Sequence, residues 1–353
     1  MLTTLCSRQL QPTRTSFRLV PGLNIPTLQT LLGFIVFFAA LDLPSRINGQ
    51  QTPDTVITRK RGAEKTVKRR GKIIDWRGAA LTLEFNGRQR EIDNAEIVQL
   101  QTAWDDSYQA GQSELRQGRT KLAIDQFGFA LEKETRPWAR RIIRSHLVEA
   151  YLAVEQPEDA VKQFLEIVSE DPQTRFLHLA PLPWAGSGNA LVQQSEKWIE
   201  SRQPLVQLIG ASWLLAGPKR SQGIKQLEAL SRDIDPGVRN VAIAQLWRTR
   251  ANVSAKQTEV WEGLVEKMPR ELRAGPLLVL ADAQSKSQKT DQALLNLMRI
   301  PILYPEHRSL SAAALYRCAS LLNNKGQAKQ AKAILNELTT KYPETIWAQQ
   351  ASQ

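Results

Sequence analysis

The chain has 353 residues, enough for more than one domain, and 42% of them are hydrophobic, with nine tryptophans. That composition excludes an intrinsically disordered polypeptide. The net charge of +12 points first toward nucleic acid, but residues 1–90 hold 15 Lys/Arg against 5 Asp/Glu while residues 91–353 hold 32 against 30. The basicity belongs to the first quarter, and the rest is near neutral.

Residues 1–30 carry Arg8, Arg14 and Arg18 and no acid. An eleven-residue apolar run, Leu31–Leu41, follows and ends at Asp42, Pro44 and Arg46. At about 1.5 Å per residue it is too short to span a bilayer. A basic lead, a short apolar run and a polar exit predict a secretory signal, with Gly49 as the small residue before a cut. An uncleaved anchor and a buried helix of a cytoplasmic protein are the other two readings. No cysteine follows the run and no twin arginine precedes it, so neither lipid attachment nor that export route is indicated. Export would remove Cys6 and leave Cys318 alone, without an intrachain disulfide. Cys318 lies in the apolar run Ala312–Leu322 and reads as a small buried hydrophobe.

Residues 50–58 read as a linker. Arg59–Lys72 then holds eight Lys/Arg and one acid, Glu64. These candidate anion-binding residues are Arg59, Lys60, Arg61, Lys65, Lys68, Arg69, Arg70 and Lys72. They could neutralise phosphates, or meet an anionic membrane or envelope polymer. A solvated hairpin face is the plainer reading. Alternating apolar residues predict strands at Thr55–Thr58, Thr66–Arg70, Lys72–Trp76, Ala80–Phe85 and Ile97–Leu100. Asn86-Gly87 is a two-residue hairpin signal. The expectation is a small basic β-barrel-like domain, SH3-like or Sm-like, over residues 50–101. So small a sheet is marginal alone, so it should rest on the first helices with Trp76 or Trp104 at the join.

From Trp104 the periodicity is helical. Ala123, Phe127 and Ala130 stand four and three residues apart, and Ala160, Phe164 and Ile167 repeat the spacing, with Pro172 twelve after Ala160. Ala293, Leu297, Ile300 and Pro305 recur thirty-eight residues later as Ala331, Leu335, Leu338 and Pro343. Each set draws one narrow apolar stripe on a helix, and the proline ends the unit. A single helix pair cannot bury such a stripe, so several must stack.

The pattern resembles the tetratricopeptide repeat. Gly111 and Gly118 stand where that family places its helix-packing and turn glycines, Tyr151 at its aromatic position and Gly326 at a turn. The second unit departs, with Val148 and Glu155 in place of glycines. Asp235-Pro236-Gly237-Val238-Arg239 resembles the start of a HEAT-type helix. The fold class expected for residues 102–353 is mainly α, a right-handed α-solenoid of six to seven helix pairs. The clearest repeats are 104–172 and 274–343, with an irregular middle at 189–273. The Pro-rich and Gly-rich interval 171–188 reads as a long loop, either functional or a spacer.

No nucleophile–base–acid set or phosphate loop is evident. Gly186-Ser187-Gly188 follows no strand and lacks the phosphate-reaching lysine. His146, His178 and His307 are far apart, and none has a second ligand at metal spacing. No catalytic residue, metal or cofactor is therefore predicted. The resemblance instead implies protein partners on the concave face, where the register places Tyr108, Gln112, Ser145, Glu149, Tyr316 and Ser320. The family's carboxylate clamp is not among these six, so a helix or extended peptide is the expected ligand. Terminal repeats ending in Tyr304-Pro305 and Tyr342-Pro343 are similar to those of exported scaffold proteins. The reading is a non-enzymatic adaptor at the bacterial cell envelope. Nucleic acid is the alternative partner, and export would exclude it by compartment.

Overall fold

The computed structural model describes residues 53–60, 62–184 and 191–353. Cys6, the run Leu31–Leu41, Arg61 and Gly186-Ser187-Gly188 lie outside them. Gln51–Gln353 form one compact unit.

Five strands form an antiparallel sheet: β1 Asp54–Thr58, β2 Val67–Arg77, β3 Ala80–Phe85, β4 Arg88–Asp93 and β5 Ile97–Gln101, in the order β4-β3-β2-β1-β5. Two expected strands fuse into β2, whose register slips between Ile73 and Asp75. Asn86 and Gly87 both adopt positive φ, 51° and 71°, as a type I′ hairpin requires. Among the described residues β4 and β5 do not pair, so the sheet stays open. It does not close on itself because other parts of the chain cover its apolar face. Val56, Ile73, Leu81, Leu83 and Ile92 share one core with Trp138 of the first helices and Phe176 of the 171–184 segment.

Fourteen α-helices follow among the described residues. The first four are α1 Asp106–Arg116, α2 Thr120–Lys133, α3 Pro137–Ala153 and α4 Pro157–Glu170. The middle holds α5 Val192–Trp198, α6 Pro204–Leu214, α7 Arg220–Leu230, α8 Pro236–Trp247 and α9 Ala255–Lys267. The last five are α10 Ala274–Lys286, α11 Thr290–Leu303, α12 Arg308–Asn324, α13 Ala328–Lys341 and α14 Ile346–Ala351. The stripes land in the core. Ala123, Phe127, Ala130, Ala160, Phe164, Ile167, Ala293 and Ile300 are fully buried. A Cβ on Gly111 would stand 2.7 Å from the Phe127 ring, which is why α1 can approach α2 only with glycine there. Gly118 turns the chain at φ 78°. Asp235 caps α8 by accepting from the backbone N–H groups of Gly237 and Val238.

The array returns on itself. Contacts run in order through α3, α4, α6, α8, α10 and α12, and α12 packs back onto α3. The turn after α13 meets the turn before α2, with Pro343 against Gly118. There the Glu344 carboxylate accepts from the backbone N–H of Lys121 at 2.8 Å, across 223 residues of sequence. Helix α2 has no side-chain cap of its own, so Glu344 supplies the anion its N-terminus favours. Glu344→Ala should lower stability by about 0.5–1 kcal/mol, while Glu344→Gln, which still presents an acceptor, should lose less. Thermal unfolding of both variants checks this.

Candidate functional site

Of the interval expected as a long loop, the described residues 171–184 pack against the inner side of the helices, with Phe176, Leu179, Ala180 and Leu182 buried. Asp171, at its start, accepts from the backbone N–H of Gly78 with both carboxylate oxygens, at 3.0 and 3.2 Å. A short 3-10 turn, Arg175–Leu179, follows, with the Thr174 hydroxyl accepting from the Phe176 N–H. The Pro181-Leu182-Pro183-Trp184 stretch then reaches α6 and α10. Trp213 donates its indole N–H to the Pro181 carbonyl at 2.9 Å, and Trp184 lies on the backbone of Gly275, where any Cβ would enter the indole. Replacing a helical glycine by alanine ordinarily stabilises by about 1 kcal/mol. At Gly275 the sign should invert, with Gly275→Ala losing about 1–3 kcal/mol through overpacking. Urea denaturation decides it, and a gain would mean that Trp184 is not seated there.

The seam brings His178 of the inner segment against His307, while His146 of α3 packs on Tyr108 and Phe127. His307 precedes α12 and is 4% exposed, with its Nδ1 3.3 Å from Glu149 Oε1 of α3. Burial opposes its positive charge, but the Glu149 carboxylate outweighs burial and raises its pKa. The His178 ring meets that of His307 edge-on at 5.8 Å. Burial, then the neighbouring His307, lowers His178 to about 3. On α3, burial and then Arg175 lower His146 to about 4. Its Nε2 is 3.1 Å from the Tyr108 hydroxyl, which accepts from Gln112 Nε2 at 2.9 Å. Burial raises the Tyr108 pKa far above the usual phenol range, so both partners stay neutral and Tyr108 donates to His146.

The six expected groove residues therefore divide. Tyr108, Ser145 and Glu149 are buried. Ser145 donates to the Ile142 carbonyl at 2.7 Å, and Gln112 is half-buried against Tyr108. None of these four faces an open concave surface, because α12 and the 171–184 segment occupy that space. Tyr316 packs against Trp347 with ring centroids 5.4 Å apart, and Ser320 is exposed, donating to the Tyr316 carbonyl.

The basic residues divide by strand alternation. Lys68, Arg70 and Lys72 lie on one face of β2 and are exposed, with no ion pair among the described residues. Arg69 points to the other face and donates to the Thr58 hydroxyl at 3.3 Å. Arg59, Lys60 and Lys65 are exposed between β1 and β2.

Three arginines that the sequence reading did not single out hold the sheet to the helices. Arg141 of α3, 1% exposed, reaches the Asp75 carboxylate, the Trp76 carbonyl at 3.1 Å and Glu170 Oε2 at 3.2 Å. Arg136 donates to the Thr102 hydroxyl and the Ala103 carbonyl. Arg175 lies over the Trp76 ring at 3.5 Å and over Phe176 at 4.4 Å, and burial lowers its pKa to about 10. Trp76 is thus at the join, as expected. Trp104 instead stacks on Tyr108, with centroids 3.9 Å apart. The signal for Arg141 was a cation set among Trp138, Ala139, Ile142 and Ile143 on a buried helical face. Cys318 is 2% exposed, and burial raises its thiol to about 11, so it is an inert core residue.

Among the described residues no three His, Cys, Asp or Glu side chains are placed to hold a metal, and no helix is long and apolar enough to cross a membrane.

The family model of the tetratricopeptide repeat matches residues 313–345, which take in most of α12 and all of α13. No curated protein matches the chain. The match over α12 and α13, within an array of paired helices, supports a tetratricopeptide-like protein. Such repeats generally mediate protein–protein interaction, and the fold is typically non-catalytic.

Proposed function

We propose that this protein is a non-enzymatic interaction scaffold of an exported bacterial type, working at the cell envelope. The repeat match within a helical array carries the scaffold reading. The basic lead and the run Leu31–Leu41 support export. Partners engage outer surfaces, because the concave side is occupied from within. Leu122 and Phe129 on α2, and Leu295 and Ile302 on α11, stand seven residues apart on helix faces and are 50%, 53%, 62% and 66% exposed. Tyr316 and Ser320 mark the part of the expected groove that remains reachable.

Cross-linking in intact cells, followed by identification of the attached proteins, tests this. Leu295→Asp with Ile302→Asp, or Tyr316→Ala with Ser320→Arg, should remove specific envelope proteins from the cross-linked set while leaving the fold intact. An unchanged set with both pairs would sink the reading. A second reading rests on Lys68, Arg70 and Lys72: an anionic envelope polymer, lipid surface or nucleic acid binds there. It predicts retention that weakens with salt and disappears in the Lys68→Glu, Arg70→Glu, Lys72→Glu variant.

A further inference from the structure

Where the first and last repeats meet, the chain lines an open-mouthed cavity of about 230 Å³. Four separate stretches wall it with apolar groups: Leu152 of α3, Leu182 and Trp184 of the inner segment, Trp213 of α6 and Leu310 of α12. Glu149 and His307 also line it. His307 is buried, its Nδ1 is engaged by Glu149, and its Nε2 has no hydrogen-bond partner among the described residues. A buried N–H without an acceptor is costly, and buried polar groups are rarely left so. The unpartnered nitrogen and the apolar space beside it call for the same thing, a molecule with an apolar body and one acceptor atom.

The charges around the cavity narrow the class. His307 and Glu149 offset one another. Glu155 also lines the cavity and brings a further carboxylate at its exposed rim. An anionic ligand meets that carboxylate without a free cation to balance it. A cationic ligand meets the imidazolium and has no use for its N–H. An uncharged oxygen acceptor avoids both conflicts.

We propose that this cavity is a binding site for a small uncharged apolar molecule carrying one carbonyl oxygen, such as an amide or ester of a medium-length alkyl chain, with His307 Nε2 donating to that oxygen. Such a ligand touches α3, the inner segment and α12 at once. It therefore ties the seam together, and its binding raises the stability of the closed form.

The test is calorimetric titration of the intact chain at pH 6 with octanamide, octanoate and octylammonium. The expected result is saturable one-to-one binding of octanamide, at least about tenfold tighter than either charged analogue. Ser309, half-buried at the start of α12, lines the same cavity. Ser309→Trp should fill it and weaken octanamide about tenfold or more without lowering the unfolding midpoint, a variant that avoids disturbing the Glu149–His307 pair. No saturable heat up to the solubility limit, tightest binding of octylammonium or octanoate, or an unchanged affinity in Ser309→Trp would each overturn the proposal.

Discussion

Arg141→Ala should destabilise the chain by about 2–4 kcal/mol, the largest single-residue effect expected outside the apolar core. The guanidinium is 1% exposed and joins Asp75, the Trp76 carbonyl and Glu170. Removing it leaves the Trp76 carbonyl without this donor and Glu170 without its cation, while Asp75 keeps only Arg77, at 2.6 Å. The full effect of breaking a buried pair is about 3–5 kcal/mol. Asp75 and Glu170 have side chains 26% and 33% exposed, so water recovers part of it. Arg141→Met keeps the stem packing that alanine also removes and should lose clearly less. Urea denaturation of both variants measures the difference. Equal losses would mean that Arg141 acts through its charge contacts alone, and a loss below about 0.5 kcal/mol for alanine would contradict the clamp altogether.

Acid should open the molecule steeply. His146 and His178 have folded pKa values of about 4 and 3, below the ordinary histidine value of about 6.5. Above pH 6.5 both are neutral, folded or not, and nothing is lost. Below it the unfolded chain takes up two protons that the folded chain refuses, so stability falls by about 3 kcal/mol per pH unit down to about pH 4. His307 has the opposite sign. Its folded pKa is raised, so its contribution is complete below pH 6.5 and disappears only as pH rises through that higher value. Unfolding free energies should therefore decline by about 3 kcal/mol between pH 6.5 and pH 5 from these two histidines. His178→Gln should halve the slope. A wild-type profile flat from pH 7 to pH 5 would mean that the two histidines are not buried.

The helical pairs were legible because their information is local. A small residue, a large apolar residue a turn later and a proline after the helix describe one helix face and its end, and Ala123, Phe127, Ala160, Phe164, Ala293 and Ala331 are all buried as that spacing requires. Asn86-Gly87 declared its hairpin for the same reason. Strand β4 was not marked, because Ile92 is its one buried residue and its charged neighbours hide the alternation.

What escaped was everything that depends on distant parts of the chain meeting. Nothing near Glu344 announces that it caps a helix beginning at Thr120. Nothing near His307 announces Glu149. The repeat register placed Ser145 and Glu149 on the inner face of α3, and they are there. Register alone does not reveal that α12 comes round to cover that face, or that Pro181–Trp184 is drawn inside. Of the candidate groove, Tyr108, Ser145 and Glu149 are buried in the folded protein.

Closure of the array governs which residues partners can reach, why His178 is buried against His307, and why a cavity exists at the seam. The most direct test is a distance between spin labels at Lys121 and Lys341, on the two sides of the join, measured by double electron–electron resonance in the intact chain. Both residues are exposed, at the start of α2 and the end of α13, beside the turns that meet there. Closure predicts one narrow distance at the short end of the measurable range, lost in urea. A long, broad distribution in native buffer would show an open superhelix and return Tyr108, Ser145 and Glu149 to an accessible groove.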